Sequence, residues 1–264
     1  MDQKDLKARL DLAVSAARGA GQKTLAYFNR SNFDIEWKQD GTPVTVADRE
    51  AEAYLREQIE THFPSDAILG EEFPERPGTS GYRWILDPID GTKSFVHGVP
   101  LYGTLVGVEY ERSCVIGAMA FPALGEYIYA AKGYGTWHGQ GPAEPRRARV
   151  SSVSRLADGL FCMTSPTEFI EAGRQSAYER LSAQARLTRG WGDCYGYLLV
   201  ATGRAEVMVD PVLNIWDMAA LLPILEEAGG TFTDWEGRPT IYGKDGIGTN
   251  GHVLAEVLAI TRGA

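Results

Sequence analysis

The chain has 264 residues, of which 44% are hydrophobic and 23% are charged, a balance typical of a folded globular protein. Its net charge of −9 argues against nucleic acid and anionic membranes as partners. An anionic substrate remains compatible with this charge, because bound cations can invert the local field. Three cysteines without a Cys-x-x-Cys pair, and four histidines without ligand spacing, disfavour a disulfide framework and a zinc site.

The N-terminal part of the chain is predicted to contain two amphipathic helices. Apolar residues recur at helical spacing over residues 2–28 and again from about Val46 to His62, with Thr45 as a cap for the second helix. Residues 31–37 read as extended and residues 39–43 as a turn. Asp48 falls in the first turn of the second helix, where a carboxylate can also serve only to balance the helix dipole.

In the first half, the stretch Trp84–Phe95 contains the largest number of candidate functional residues close together. Its apolar start predicts a buried strand that ends at Leu86, so that Asp87 and Asp90 lie at the strand's C-terminal edge. Gly91 permits a sharp turn, after which a short helix offers free backbone N–H groups to an anion. These features suggest metal ions that hold a phosphate, whereas the plain alternative is a turn that the aspartates cap.

Other segments of the first half read as strands. Ala67–Gly70 is a short strand that delivers Glu71 and Glu72 to its end, where the plain alternative is a solvated acidic loop. Three β-rich segments joined by polar turns predict an antiparallel sheet over residues 104–110, 113–121 and 126–131. The glycine-rich stretch 133–142 lacks the lysine and the helix of a nucleotide-binding loop, and we interpret it as a turn.

The second half alternates strands with helices. Strands are predicted at residues 160–164, 206–209 and 231–234, and helices at 168–185, 195–202 and 215–227. Glycine, proline and serine cluster at residues 141–155, which divides the chain into halves 1–145 and 146–264. The charged N-terminus and the lack of an apolar run of about 18 residues predict no signal peptide and no membrane span, so we expect a cytoplasmic protein.

Acidic residues from separate segments are expected to converge. Glu71, Asp87 and Asp90 follow strands, and Asp217 begins a helix after Trp216. Ligands of open α/β sheets bind at the carboxyl ends of strands. Several carboxylates in close proximity cannot all stay ionised without cations, and Mg²⁺ combines carboxylate oxygens with substrate phosphates.

These segments resemble the metal-binding motifs of the inositol monophosphatase superfamily. The matching motifs are Gly70-Glu71-Glu72, Trp84-Ile85-Leu86-Asp87-Pro88-Ile89-Asp90-Gly91-Thr92 and Trp216-Asp217-Met218-Ala219-Ala220. The resemblance runs from the first helix to the last strand. It implies an α/β fold that is an αβαβα five-layer sandwich of the inositol monophosphatase and fructose-1,6-bisphosphatase type. It also implies a homodimer that hydrolyses small phosphomonoesters with Mg²⁺.

The resemblance also implies roles for individual residues. It assigns the metal ligands as Glu71, Asp87, Asp90 and the Ile89 carbonyl for one ion, Asp87, Asp90 and Asp217 for a second, and Glu72 for a weaker third. Two or three Mg²⁺ ions are therefore expected, with Mn²⁺ as a possible substitute. Thr92, paired with Asp48, resembles the dyad that activates the attacking water, and Glu71 belongs to the catalytic set. The backbone amides of Gly91 and Thr92 would receive the phosphate.

Further stretches resemble the histidinol-phosphatase branch of that superfamily more than the inositol branch. They are Lys93-Ser94-Phe95 with residues 98–104, Thr164-Ser165-Pro166-Thr167-Glu168-Phe169, and Trp191-Gly192-Asp193-Cys194-Tyr195. By position, Gly192, Asp193 and Cys194 would contact the organic part of the substrate, as would Asp210. Asn214 departs from the histidine that inositol enzymes often place near this point.

The chemistry of histidinol phosphate agrees with these carboxylates. Its ammonium and imidazole groups could donate charge-assisted hydrogen bonds to Asp193 and Asp210. The plain alternatives are a helix cap for Asp193, a strand-end turn for Asp210 and a small buried residue for Cys194. We therefore expect a histidinol-phosphate phosphatase. An inositol-type or broad sugar-phosphate phosphatase, and an inactive family member that serves as a binding subunit, are the alternatives.

Overall fold

The computed structural model describes residues 2–29, 35–37 and 43–263. Within these residues the α-helices are α1 (Gln3–Thr24), α2 (Val46–His62), α3 (Thr92–Val96), α4 (Pro166–Glu171), α5 (Gln175–Gln184), α6 (Asp193–Ala201), α7 (Ile215–Ala219), α8 (Leu221–Glu227) and α9 (Leu254–Arg262). The strands are β1 (Ile35–Trp37), β2 (Pro43–Thr45), β3 (Ala67–Gly70), β4 (Tyr82–Asp90), β5 (Gly103–Tyr110), β6 (Ser113–Phe121), β7 (Glu126–Ala131), β8 (Gly135–Gln140), β9 (Arg146–Arg147), β10 (Leu160–Cys162), β11 (Leu187–Arg189), β12 (Val207–Asp210), β13 (Thr231–Thr233) and β14 (Gly246–Thr249).

Two large sheets organise the described chain. Strands β3 to β9 form a seven-stranded sheet in sequential order, in which only the β3–β4 pair is parallel. The second sheet has the order β11-β10-β12-β14-β13 and mixes parallel and antiparallel pairs. The predicted antiparallel sheet is therefore correct, since β5, β6 and β7 are consecutive antiparallel neighbours.

Helices separate and cover these sheets in layers. Helices α1 and α2 pack on the outer face of the seven-stranded sheet, and α6, α7 and α8 fill the space between the two sheets. Helices α4, α5 and α9 cover the outer face of the five-stranded sheet. The expected αβαβα sandwich is confirmed. No helix in the described part of the chain is both long and apolar enough to cross a membrane.

Several predicted boundaries were wrong for identifiable reasons. The predicted helix 215–227 divides into α7 and α8, because Pro223 lacks the N–H that a continuous helix would bond to Ala219. The predicted helix 168–185 divides at Gly173, whose φ of +70° ends α4. The stretch 133–142 is mostly strand β8 and not a turn. The predicted turn at residues 39–43 lies largely outside the described residues.

Strand β4 continues past its predicted end at Leu86. Its pairing with β5, which begins at Tyr82, continues through Asp87 opposite Leu105 to Asp90 opposite Gly103, with a register shift between these last two pairs. Proline is tolerated in such a bulge because no ladder N–H is required there. Both aspartates therefore belong to the last residues of a buried strand, where their positions are fixed by the sheet.

A pair of glycines lets α7 approach the seven-stranded sheet. Gly107 of β5 lies directly opposite Gly117 of β6. A Cβ on Gly107 would lie 2.5 Å from the Cβ of Ala219, and one on Gly117 would lie 2.2 Å from the carbonyl oxygen of Ala220. Small residues on both sides therefore let the end of α7, two residues after Asp217, approach the sheet closely.

Replacement of Gly117 by alanine should push the α7–α8 joint off the sheet. We expect Gly117→Ala to lower the free energy of unfolding by about 1–3 kcal/mol, the usual cost of overpacking, and to reduce metal binding as Asp217 is displaced. Chemical denaturation measures the first effect and calorimetric titration of Mg²⁺ the second. Gly190→Ala is the matched control, because the nearest heavy atom to its added Cβ lies 3.9 Å away; equal stability of the two variants would contradict the packing argument.

Candidate metal centre

Three aspartates meet between the seven-stranded sheet and α7. Carboxylate oxygens of Asp87, Asp90 and Asp217 all lie within 4.8 Å of one another. Alternation along β4 points Leu86 toward α1 and α2, and so directs Asp87 to the opposite face, where α7 packs. Asp217 stands in the first turn of α7, and its Oδ2 accepts a hydrogen bond of 2.6 Å from the backbone N–H of Asn214. Sequence reasoning treated Asn214 only as a departure from a family pattern and missed this capping role.

A small cavity of about 130 Å³ opens onto this cluster. The residues that line it include most of the predicted metal and phosphate ligands, namely Glu71, Asp87, Ile89, Asp90, Gly91, Thr92 and Asp217. Glu72 is not among its lining residues. The backbone N–H of Glu72 instead donates to Glu52 Oε2 at 2.7 Å. The structure thus brings Glu71 to the cluster and places Glu72 one residue farther along the same loop.

The cluster is electrostatically unfavourable without a cation. Asp87 is only 2% exposed, and its Oδ1 has no hydrogen-bond partner. Burial, followed by the charges of Glu71 and Asp90, raises the pKa of Asp87 well above its usual value. Burial and the charge of Asp193 do the same for the pKa of Asp90. Buried oxygen donors of this kind fit a hard divalent cation, so the residues present can hold a metal ion such as Mg²⁺.

Asp48 and Thr92 both lie near the ends of helices but have separate partners. Asp48 is buried, and its Oδ2 accepts hydrogen bonds of 2.7 Å from the backbone N–H and the hydroxyl of Thr45. Burial raises the pKa of Asp48 to about 6. The Thr92 hydroxyl donates to the Ile89 carbonyl at 3.0 Å. Within the described residues these two side chains bond to such neighbours and not to each other, so their pairing as a dyad stays a prediction.

The start of α6 joins the metal cluster to the second half of the chain. The backbone N–H of Cys194 donates to Asp90 Oδ2 at 2.5 Å, while the cysteine side chain is buried. Asp193 adopts a left-handed conformation with φ of +51°, and its N–H donates to the Thr164 hydroxyl at 2.9 Å. Gly192 has no room for a side chain, because a Cβ would lie 2.2 Å from Thr164 Cα. The predicted 192–194 segment therefore borders the metal cluster.

A larger cavity of about 530 Å³ continues from the cluster toward the five-stranded sheet. Asp193 and Asp210, which were predicted to contact the organic part of the substrate, line it, and so do Glu168, Glu171 and Lys93, which the sequence analysis did not assign to the site. Glu168 lies inside the stretch that carried the histidinol-phosphatase resemblance, and this was the available signal for it.

Two of these carboxyl groups are held by neutral donors. Asp210 accepts hydrogen bonds from the Tyr197 hydroxyl at 3.0 Å and the Thr164 N–H at 3.2 Å. Burial raises the pKa of Asp210 to about 8. Burial, followed by the charge of Glu168, raises the pKa of Asp193 to about 6. The charge of Lys93 offsets the pKa shift of Asp193 only in part, and Asp210 has neutral hydrogen-bond donors, so a positively charged ligand would favour the ionised form of both groups.

Comparisons with known proteins agree with this geometry. A family model described as "Inositol monophosphatase family" matches residues 5–262. The chain is 44% identical over 238 residues to a histidinol-phosphatase of Chlorobaculum parvum, and the aligned region covers 90% of each chain. It is 35% identical over 249 residues to a histidinol-phosphatase of Mycobacterium tuberculosis, covering 94% of this chain and 96% of that relative. The solved structure of a Thermotoga maritima IMPase superposes with a TM-score of 0.85 at 30% identity, covering 97% of each chain.

Because one buried oxygen of Asp87 has no hydrogen-bond partner among the described residues, replacement of this residue should have opposite effects on the stability of the metal-free protein and on metal binding. Because the pKa of Asp87 lies above its ordinary 3.8 in the folded protein, ionisation of this group destabilises the metal-free fold as the pH rises past about 4. Asp87→Asn should therefore raise the metal-free unfolding free energy at pH 8 by about 1 kcal/mol. The same variant should lose the increase in melting temperature that Mg²⁺ gives the unsubstituted protein.

Thermal denaturation at pH 5.5 and pH 8, with and without Mg²⁺, checks both effects. For the unsubstituted chain the increase with Mg²⁺ should be larger at pH 8, because the ligands must lose protons to bind a metal. An Asp87→Asn variant that keeps the full Mg²⁺ response would remove Asp87 from the ligand set.

Proposed function

The chain belongs to the inositol monophosphatase family and is a phosphoric monoester hydrolase, and we propose that its substrate is histidinol phosphate. The observation that carries this proposal is the charge of the larger cavity. Besides Asp90 and Asp217 of the metal cluster, four carboxyl groups line it, those of Glu168, Glu171, Asp193 and Asp210. Among its lining residues Lys93 is the single cationic side chain, and Lys93 is mostly exposed, 3.5 Å from Glu168.

The leaving group of histidinol phosphate matches this cavity better than inositol does. Its ammonium group, and its imidazole when protonated, can each donate charge-assisted hydrogen bonds to carboxylates. Inositol is neutral, so it would supply no positive charge to balance the ionised form of these carboxyl groups in a partly dry site. The two relatives named histidinol-phosphatase support the same substrate.

The metal cluster supplies the binding site for the phosphate end. We propose that two Mg²⁺ ions are held by Glu71, Asp87, the Ile89 carbonyl, Asp90 and Asp217, with a third, weaker ion near Glu72 and with Mn²⁺ as a substitute. When bound, such ions neutralise phosphate charge and lower the pKa of a coordinated water. The chain contributes the backbone N–H groups of Gly91 and Thr92, which would orient the phosphate beside the ligands.

Thr92, Asp48 and Glu71 are proposed to prepare the attacking water. The Thr92 hydroxyl now donates to the Ile89 carbonyl, an oxygen that is itself a proposed metal ligand. If the Ile89 carbonyl held a cation, the Thr92 hydroxyl would be available to donate to another acceptor and to accept a hydrogen bond from the attacking water. Asp48, with a pKa of about 6, is suited to accept a proton near neutral pH. The reaction is then direct in-line attack on phosphorus, without a phosphorylated residue on the protein.

The organisation of the whole molecule is also proposed on the family resemblance. We propose a cytoplasmic homodimer whose chain divides near residue 145. The seven-stranded sheet ends at Arg147 and the other begins at Leu160, which supports that boundary within the described residues. The three cysteines are unpaired, in keeping with a reducing compartment.

A substrate comparison tests the proposal. We expect kcat/KM for histidinol phosphate to exceed that for inositol 1-phosphate, since only the former has cationic groups for the cavity. Glu168→Gln should lower kcat/KM for histidinol phosphate by about tenfold, the loss of one charge-assisted hydrogen bond, and leave inositol 1-phosphate nearly unaffected. Glu179→Gln, on the exposed side of α5, is the matched control. Preference for inositol 1-phosphate, or equal losses on both substrates, would refute the assignment.

A further inference from the structure

A buried glutamate on α2 contacts the loop that carries the proposed ligand Glu71. Glu52 is 0% exposed and lies one helical turn after Asp48. Its Oε2 accepts from the backbone N–H of Glu72 at 2.7 Å, and its Oε1 accepts from Arg56 Nε at 2.7 Å. Both carboxylate oxygens are thus engaged, so Glu52 holds the loop and is not itself a candidate ligand.

The loop is shaped to receive this carboxylate. A Cβ on Gly70 would lie 2.0 Å from Glu52 Oε1, so the absence of a side chain at Gly70 makes room for it. Arg56 also donates to the Phe73 carbonyl at 3.0 Å, on the far side of the loop. Helix α2 therefore holds the loop through hydrogen bonds at two neighbouring residues, Glu72 and Phe73.

Glu71 is fixed between two anchors as a result. Its own N–H donates to the Leu86 carbonyl of β4 at 3.3 Å, and the next N–H along the chain is the one held by Glu52. Burial of a charged group is costly. The buried Glu52 carboxylate offsets this cost with a charge-assisted hydrogen bond from Arg56 and a second hydrogen bond from a backbone N–H. A side chain that only filled space here could be apolar. A carboxylate that accepts from the Glu72 N–H also fixes the orientation of that peptide, and with it the direction of the Glu71 side chain.

We propose that Glu52 is a positioning residue that sets the metal affinity of the centre by orienting Glu71. The inference rests on the proposed role of Glu71 as a metal ligand. Groups that orient ligands, without touching the ion, typically change metal affinity by about 10–100-fold when they are removed.

Glu52→Gln tests the proposal, because it keeps the side-chain shape but removes the charge and one acceptor. Calorimetric titration of the substrate-free protein with Mg²⁺ should give an affinity about tenfold weaker or worse than that of the unsubstituted chain. Turnover should recover largely at saturating Mg²⁺, so the activity loss should appear in the Mg²⁺ requirement and not in kcat. Glu57→Gln, on the exposed side of α2, is the matched control and should bind Mg²⁺ normally.

Arg56→Gln serves as a second variant if Glu52→Gln does not fold. It removes one of the two donors to Glu52 at a partly exposed position, so it should weaken Mg²⁺ binding in the same direction. Mg²⁺ affinity unchanged in both variants, whatever happens to their melting temperatures, would overturn the proposal. An unsubstituted chain that binds no divalent metal would instead overturn the proposed metal centre and, with it, this inference.

Discussion

The mutual repulsion of buried carboxylates is the constraint on which the rest of the structure depends. Asp87 and Asp90 of β4 and Asp217 of α7 come from segments far apart in the chain, yet they share one small space in which Asp87 is buried and the other two are half-buried. Such an arrangement is unfavourable as long as it holds only negative charge, and the unbonded oxygen of Asp87 is the clearest sign of that. The packing of the surrounding layers keeps these groups together. A divalent cation bound among them would reduce the repulsion between their negative charges.

Small residues make the convergence geometrically possible. The facing pair Gly107 and Gly117 admits the α7–α8 joint, while Gly70 admits the carboxylate of Glu52. In each case a main chain or a carboxylate occupies the space of a missing side chain. The bond from the Cys194 N–H to Asp90 then ties the metal cluster to the start of α6. The phosphate end and the leaving-group end of the site are therefore built on contacts between the two halves of the chain.

Local patterns in the sequence predicted much of this but not its geometry. The antiparallel strands, the Thr45 cap and the strand-end aspartates Asp87 and Asp90 were readable because periodicity and turn chemistry are local, whereas the Asp217 motif was recognised by its family resemblance. The break at Pro223 was also readable in principle, but the apolar run on both sides masked it. By contrast, Glu52 looks like an ordinary polar helix residue, and only tertiary packing against Gly70 reveals its burial. Glu168 likewise reached the cavity through the placement of α4, which helical periodicity alone does not give.

The account stands on cations binding among these aspartates, and anomalous diffraction from crystals grown with Mn²⁺ tests that most directly. Mn²⁺ scatters anomalously and accepts the oxygen ligands that Mg²⁺ accepts. We expect anomalous peaks within bonding distance of Asp87, Asp90 and Asp217, with Glu71 on one of the same ions. A crystal in which these carboxylates bond only to protein groups or water, and in which no peak lies among them, would contradict the account.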